Sequence, residues 1–434
     1  MNVAMIGTGY VGLVSGACFS EFGVNVTCVD KDGGRIEGLK RGVIPIYEPG
    51  LESLVNENVR RNRLSFTTDH RVAVEGAHVV FIAVGTPTRR GDGHADLTFV
   101  YDAAREIAVN LRGYAVVVNK STVPVGTARA VKRIIRDNNP EADFDVASNP
   151  EFLREGSALG DFMRPDRVVI GVESARAEEL LRELYRPLYL IETPMVITGL
   201  ETAEIIKYAC NAFLALKISF INEIANLCEA AGANVKEVAK AMGLDKRIGP
   251  KFLHAGPGYG GSCLPKDTNA LIKVYQDAGL TARIVEAVVQ VNEAQKSRMV
   301  KKIRNALGGT EYGKTIAVLG LTFKPETDDM REAPSLTIVP ALLEGGAKIR
   351  ATDPQGVREA RKLLKDVEFV DDPYDAAKGA DALIVLTEWN EYRALDTGRL
   401  KELMRGSVFI DLRVIYDPAR LREQGFTYIG VGVV

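Results

Sequence analysis

Cysteine and histidine are scarce in this chain, with five and four residues among 434. They are scattered, with no Cys-x-x-Cys pair and no cluster at metal-ligand spacing. That argues against a zinc module and against a disulfide scaffold, so no metal is expected and a reducing cytoplasm fits. A surplus of either charge is also missing: 55 Lys and Arg stand against 57 Asp and Glu, a net charge of −2. A generic surface for nucleic acid or for anionic lipid is therefore not expected. No uninterrupted apolar run approaches the roughly 20 residues of a membrane helix. The opening MNVAMIG enters a strand pattern directly, without a charged leader or a cleavage site. The expectation is a cytoplasmic protein that engages neither nucleic acid nor membrane.

What is present is an ordinary globular balance, 46% apolar and 26% charged. The length exceeds what one compact core usually holds, so two or three domains are expected. Short apolar runs at Val3–Ile6, Val26–Val29, Val79–Val84, Ala115–Val118 and Asp145–Ala147 alternate with helical patterns. Such alternation is that of a parallel sheet with crossover helices. The style returns at Thr315–Leu319, Ile349–Thr352, Ala382–Leu386 and Val408–Ile410. Between the two blocks lies a mainly helical stretch, giving divisions at 1–197, 198–306 and 307–434. Its first helix spans about Glu201–Ala231. Ile205, Ile206, Ala209, Phe213, Leu216, Phe220 and Ile224 form a broad apolar band on it. That band reads as a core helix bridging the domains, and a helix of such length also suits a dimer interface.

The strand Val3–Ile6 runs into Gly7-Thr8-Gly9-Tyr10-Val11-Gly12 and then a helix, the context that G-x-G-x-x-G requires for dinucleotide binding. Gly7 serves the turn, Gly9 lets the backbone approach a pyrophosphate, and Gly12 lets helix and strand pack closely. Asp30 ends the next strand, 18 residues after Gly12. Its carboxylate can bind both hydroxyls of an adenosine ribose and repels a 2′-phosphate, so NAD is expected rather than NADP. Val84–Thr88 and Lys120–Thr127, small and hydroxyl-rich, follow later strands and reach the same crevice unless they are ordinary turns.

The segment GPGYGGSCLPKD, Gly256 to Asp267, is too rich in glycine and proline for a core helix and reads as a loop shaped around a ligand. Cys263 within it, beside Lys266 and Asp267, is unlike Cys18, Cys28, Cys210 and Cys228, which sit in helix or strand patterns. A nearby cation favours the nucleophilic thiolate. An NAD site with an activated cysteine points to oxidation of an aldehyde through a covalent thiohemiacetal and a thioester. The residues alone do not name the substrate.

These motifs, with STVPVGT from Ser121, NPEFLREG from Asn149, KYACNAFLALKISFINE from Lys207 and FKPETDDMREAPS from Phe323, occur in order along the chain. Together they resemble the UDP-glucose/GDP-mannose dehydrogenase family. The resemblance implies two Rossmann-like, doubly wound parallel-sheet domains joined by a long central helix through which a homodimer forms. It implies a four-electron oxidation of UDP-glucose to UDP-glucuronate with NAD. In that reading Cys263 is the nucleophile, Lys207 stabilises oxyanions with Asn211 beside it, and Asp267 and Thr122 hold the water or hydroxyl that exchanges a proton. Glu151 acts as a general base through water, although a helix-start carboxylate is the ordinary alternative there. Lys207, taken without the resemblance, would be a solvated helix charge.

For NAD the resemblance adds Val11, Arg35, Thr86, Thr122, Glu155, Lys266 and Arg331 to Asp30. For the nucleotide sugar it adds the backbone of Glu151, Phe152, Leu153, Arg154 and Glu155, then Phe252, Leu253, His254, Ala255, Gly256, Gly260 and Lys324. Arg247 would reach a neighbouring subunit's site, and Arg413 would contact substrate. His254 departs from the family's pattern. The second α/β domain has Gly320-Leu321-Thr322-Phe323-Lys324 instead of a dinucleotide fingerprint, so UDP is expected there. GDP-mannose and UDP-N-acetyl sugars are rival substrates, and a non-catalytic sensor is the rival of another class. A simple alcohol dehydrogenase would need a His or Tyr acid/base that no recognisable setting supplies.

Overall fold

The computed structural model describes residues 1–89 and 91–433. The chain divides into two compact units, Met1–Cys210 with Lys273–Leu280, and Asn211–Ile272 with Thr281–Val434.

In the first unit, strands β1 (Asn2–Ile6), β2 (Asn25–Val29), β3 (Leu64–Thr67), β4 (Val79–Ile82), β5 (Ala115–Asn119), β6 (Phe144–Ser148), β7 (Val168–Gly171) and β8 (Met195–Thr198) form one sheet of order 3-2-1-4-5-6-7-8. Valine and isoleucine runs buried on both faces, as in β4 and β5, are what a sheet covered by crossover helices demands. The first six strands are parallel, in Rossmann order. β7 pairs antiparallel with β6, so the last two strands run against the rest. The core on one face holds Phe19, whose ring centroid lies 5.2, 4.9 and 5.3 Å from those of Phe81, Phe162 and Tyr185. That cluster fixes the first helix, Tyr10–Glu21, against the sheet.

The second unit carries β9 (Thr315–Leu319), β10 (Lys348–Thr352), β11 (Val367–Phe369), β12 (Ala382–Val385), β13 (Val408–Asp411) and β14 (Thr427–Gly430). All are parallel, in the order 11-10-9-12-13-14, which is the Rossmann order again. Its helices include Val235–Leu244 and Arg283–Ala306. The two expected α/β blocks and the expected long helix are thus present.

That helix runs over Leu200–Ala231, and the boundary between the units falls inside it. The apolar band assigned to its core is a correction. Ile205, Phe213 and Phe220 are 46%, 60% and 44% exposed, and the buried positions are instead Ala203, Tyr208, Ala212, Ala215, Ile221, Ala225 and Cys228. Tyr208 and Ile221 pack inward among alanines that let the helix approach its neighbours closely, while Ile205, Phe213 and Phe220 are left outside. A second correction concerns GPGYGGSCLPKD. The loop ends at Cys263, and Leu264–Asp277 is a helix whose second residue, Pro265, is tolerated because the first turn needs no N–H donor there. No described helix is long and apolar enough to cross a membrane.

Candidate functional site

The dinucleotide turn is built as its spacing requires. Gly7 has φ +104°, and a Cβ there would lie 2.6 Å from the Ala83 carbonyl oxygen; at Gly12 one would lie 2.0 Å from Gly7 O. A Cβ on Gly9 would meet nothing within 4 Å, so the space beside that backbone is open to a ligand. The helix Tyr10–Glu21 starts after Gly9 with no side-chain cap, so its free N–H groups and dipole suit a pyrophosphate. Val11 is in its first turn. Asp30 Oδ2 accepts from Thr8 N–H (2.9 Å) and Oγ1 (2.8 Å), and Oδ1 accepts from Asp32 N–H (3.0 Å). Burial works to raise its pKa, but those bonds and the Arg35 guanidinium 3.4 Å away outweigh it and hold the carboxyl below the usual range. The cradle and the charged carboxylate fit NAD. Thr86 Oγ1 donates to Thr122 O at 3.0 Å, tying together the loops after β4 and β5.

Glu151 and Lys207 form a buried ion pair in this unit, Nζ to Oε1 at 3.0 Å, with side chains 6% and 3% exposed. Glu151 Oε2 accepts Leu153 N–H at 2.6 Å. The ordinary backbone-capping role of Glu151 is therefore real, in a turn rather than a helix, and coexists with the lysine contact. Phe152 lies under two cations, Arg167 (3.6 Å) and Lys207 (5.3 Å). Asp161 takes Arg154 N–H at 2.8 Å, and Glu48 takes those of Gly156 and Ala158 at 2.6 and 2.8 Å. The segment holding Glu155 is thereby pinned, and the N–H groups of Leu153 and Arg154 are already committed. Glu48 has no motif of its own, so sequence reasoning missed it. Lys120, at the start of the loop after β5, carries no motif that marks it. It is fully enclosed, donating to Asn149 Oδ1 (3.1 Å) and Tyr185 Oη (3.4 Å). Burial lowers its ammonium to about 8, with Glu151 raising it and Lys207 lowering it further.

In the second unit, Asn211 Nδ2 donates to Asp267 Oδ2 at 2.6 Å, and Lys266 Nζ stands 2.9 Å from Oδ1, an ion pair not aligned as a hydrogen bond. Asp267 is buried, while Cys263 is partly exposed. The helix begins one residue after Cys263, so the sulfur sits where the dipole favours negative charge. Ser262 Oγ lies 3.6 Å from Sγ. Three buried amides hold the loop: Asn222 accepts Gly256 N–H (2.8 Å), Gln295 donates to Gly256 O (2.8 Å), and Asn292 both accepts Tyr259 N–H (2.8 Å) and donates to its carbonyl (3.1 Å). A Cβ at Gly260 would meet Glu332 O at 2.3 Å. These amides were also missed, because on the sequence they are single polar residues in long helical patterns.

Arg413 brings three strand ends together, donating to Leu386 O (2.8 Å) and Phe323 O (3.1 Å) and pairing with Glu388 at 3.0 Å. Gly256 is its neighbour, since a Cβ there would lie 3.5 Å from the guanidinium. Lys324 Nζ is 5.6 Å from the Phe323 ring centroid. Phe252 adopts φ +67°, Leu253 is buried, Ala255 is half-buried and His254 is exposed. Arg331 and Arg247 are exposed, each forked onto a carboxylate, Asp329 and Asp245 respectively. Asp353, at the end of β10, is the counterpart of Asp30. Its Oδ2 receives Leu321 N–H, Thr322 N–H and hydroxyl, and the Trp389 indole N–H, and its Oδ1 receives Gln355 and Gly356 N–H. With both oxygens committed and Trp389 over one of them, it is not available to a ribose, which agrees with the absent fingerprint.

Three family models match in register with this architecture: the NAD binding domain of the UDP-glucose/GDP-mannose dehydrogenase family over residues 1–189, its central domain over 201–294 and its UDP binding domain over 317–418. The chain belongs to that family. As a member of it, the protein is an NAD-dependent oxidoreductase. It is 59% identical to UDP-glucose 6-dehydrogenase of Rhizobium meliloti (strain 1021) over 434 residues, all of this chain and 99% of that one. Identity to UDP-glucose 6-dehydrogenase TuaD of Bacillus subtilis (strain 168) is 49%, covering 99% and 93%. Among solved structures, a UDP-glucose dehydrogenase from Pyrobaculum islandicum superposes with a TM-score of 0.92 at 40% identity, covering 100% and 98%.

Proposed function

We propose that this enzyme oxidises the C6 hydroxyl of UDP-glucose to the carboxylate of UDP-glucuronate, consuming two NAD and one water. The observation that carries the reading is the clamped loop that presents a partly exposed Cys263 at a helix start, in a chain so similar along its whole length to named UDP-glucose 6-dehydrogenases. NAD, when bound on the Gly7–Gly12 turn, supplies the hydride acceptor. In the first oxidation Asp267 and Thr122 hold the water that takes the hydroxyl proton. Cys263 Sγ then adds to the aldehyde carbon, and Lys207 and Asn211 stabilise the oxyanion. After the second oxidation the thioester is hydrolysed by a water that Glu151 orients and deprotonates, and the thiol leaves. Arg35, Thr86, Glu155, Lys266 and Arg331 serve the cofactor in this reading, and Phe252–Gly256, Gly260, Lys324 and Arg413 the nucleotide sugar.

The division at 1–197, 198–306 and 307–434 then separates cofactor, cysteine-bearing and UDP functions. Phe213, Phe220 and Leu227, exposed at seven-residue intervals on the long helix, form a stripe suited to a second copy of the chain. Such a homodimer would also give Arg247 a partner to reach. A reducing cytoplasm would keep the Cys263 thiol reduced. A panel of UDP-glucose, UDP-N-acetyl sugars and GDP-mannose, read by NADH formation, tests the substrate. UDP-glucose should have the highest kcat/KM; rapid turnover of GDP-mannose with none of UDP-glucose would overturn the assignment.

A further inference from the structure

Beside Lys207 the first unit has a small, partly open cavity of about 10 Å³, roughly the room that the centre of one water molecule needs. Asn119, Ser121, Thr122, Ser148, Glu204 and Lys207 make its lining polar. Asn119 is 3% exposed, and its Oδ1, which can only accept, has no partner in the protein. Glu204 lies one turn before Lys207 on the long helix and is equally buried. Its Oε2 accepts Gly126 N–H at 2.6 Å and its Oε1 accepts Ala128 N–H at 2.9 Å, with Ser148 Oγ 3.5 Å from Oε1. Glu204 thus caps the helix Thr127–Asn138, whose own N-cap, Gly126, has no side chain to do so. Capping explains an acceptor at this place. It does not explain a polar cavity lined by the carboxylate, an orphan amide oxygen and a buried ammonium. One water there supplies the partner that Asn119 Oδ1 lacks, and the same water can accept from Lys207 and donate to Glu204.

We propose that Glu204 stores and returns protons for Lys207 through one water in this cavity, making it a positioning residue that acts through the lysine. The inference rests on the reading above that Lys207 serves the oxidation. In the forward step an N–H bond of the ammonium breaks as a water O–H forms, and another O–H of that water breaks as the carboxyl O–H forms. The reverse step restores both charges, and no electrons change hands. Burial first, and Glu201 on the same helix, push the Glu204 acid up to about 7 against the Ala128 and Gly126 N–H bonds and Ser148. A carboxyl poised near neutrality can both take and give a proton. The other charges at hand are Glu151, paired with Lys207, then Lys120, and Arg129, which pairs with Glu201 and Glu173.

Infrared difference spectra of the full-length, substrate-free protein, titrated from about pH 5 to about pH 9, read the protonated carboxyl C=O band. A band lost with a midpoint near 7 is expected, retained in Glu151→Gln and missing in Glu204→Gln. A band that survives Glu204→Gln, or no carboxyl titrating above about pH 5.5, would overturn the proposal. Asn119→Leu puts an apolar side chain of similar shape on the cavity wall, removes the acceptor that would hold the water, and leaves the cap in place. It and Glu204→Gln should each lose the ionisation near 7 from the kcat–pH profile and lower kcat by ~10-fold or more. An Asn119→Leu profile like the wild type overturns the relay even if Glu204→Gln fails to fold. If the wild type does not oxidise UDP-glucose at all, the functional reading falls, and the infrared titration still decides whether Glu204 holds the proton.

Discussion

At the scale of single residues, burial assigns the charges their parts. Glu204 and Lys207 are charges within the long helix, yet both are 3% exposed, each held by specific partners. A sequence shows that a charge is present in a helix but not which way it faces. Lys120 shows the same limit and leads to a prediction. Its ammonium falls to about 8 in the folded protein, so between there and the ordinary lysine value the unfolded chain binds more protons. Its contribution to stability therefore rises with pH through that window, by roughly 3 kcal/mol at most. Lys120→Met should flatten the wild-type rise in chemical-denaturation free energy between about pH 8 and pH 10.5. Parallel curves for the two proteins would show that the amine is not buried as described.

Among elements, the strands that the apolar runs marked are the central ones, and four of the five left unmarked are sheet edges, β3, β8, β11 and β14. A central strand is buried on both faces and reads as a continuous apolar run, whereas an edge strand such as β8 is half-exposed throughout. The fifth, β7, is four residues long. The cofactor turn was legible, because Gly7 and Gly12 answer to close contacts that no other residue allows. The clamp on the cysteine loop was not, since Asn292 makes sense only once Tyr259 is folded against it. Asn292→Leu leaves both backbone groups of Tyr259 without partners at a buried site. It should cost about 2–4 kcal/mol and lower kcat more than it raises the KM for NAD, by calorimetry and steady-state kinetics. A stable variant with unchanged kcat would show the loop to be rigid without it. On the long helix, Phe213→Glu with Phe220→Glu should convert a dimer to a monomer in sedimentation velocity, with the helix retained by circular dichroism. An unchanged sedimentation coefficient would show that this stripe does not seat a second copy.

For the whole molecule, a net charge of −2 conceals an uneven placement of cations: Lys120 and Lys207 are buried with polar partners, and Arg35, Lys266 and Arg413 each pair with a carboxylate. Two sheets of the same strand order have diverged at one carboxylate. Asp30 is partly open for a ribose, while Asp353 is enclosed by its own backbone and Trp389. That difference is why one chain can carry an NAD unit and a UDP unit without duplicating either. The scarce cysteines matter to the account through one member, Cys263, and the direct test is stoichiometric. With limiting UDP-glucose and excess NAD, the wild type should form two NADH per sugar, while Cys263→Ser should bind NAD normally but fall at least ~100-fold in UDP-glucuronate formation. One NADH per sugar from the wild type, or wild-type rates of acid formation by Cys263→Ser, would contradict the covalent, two-step oxidation.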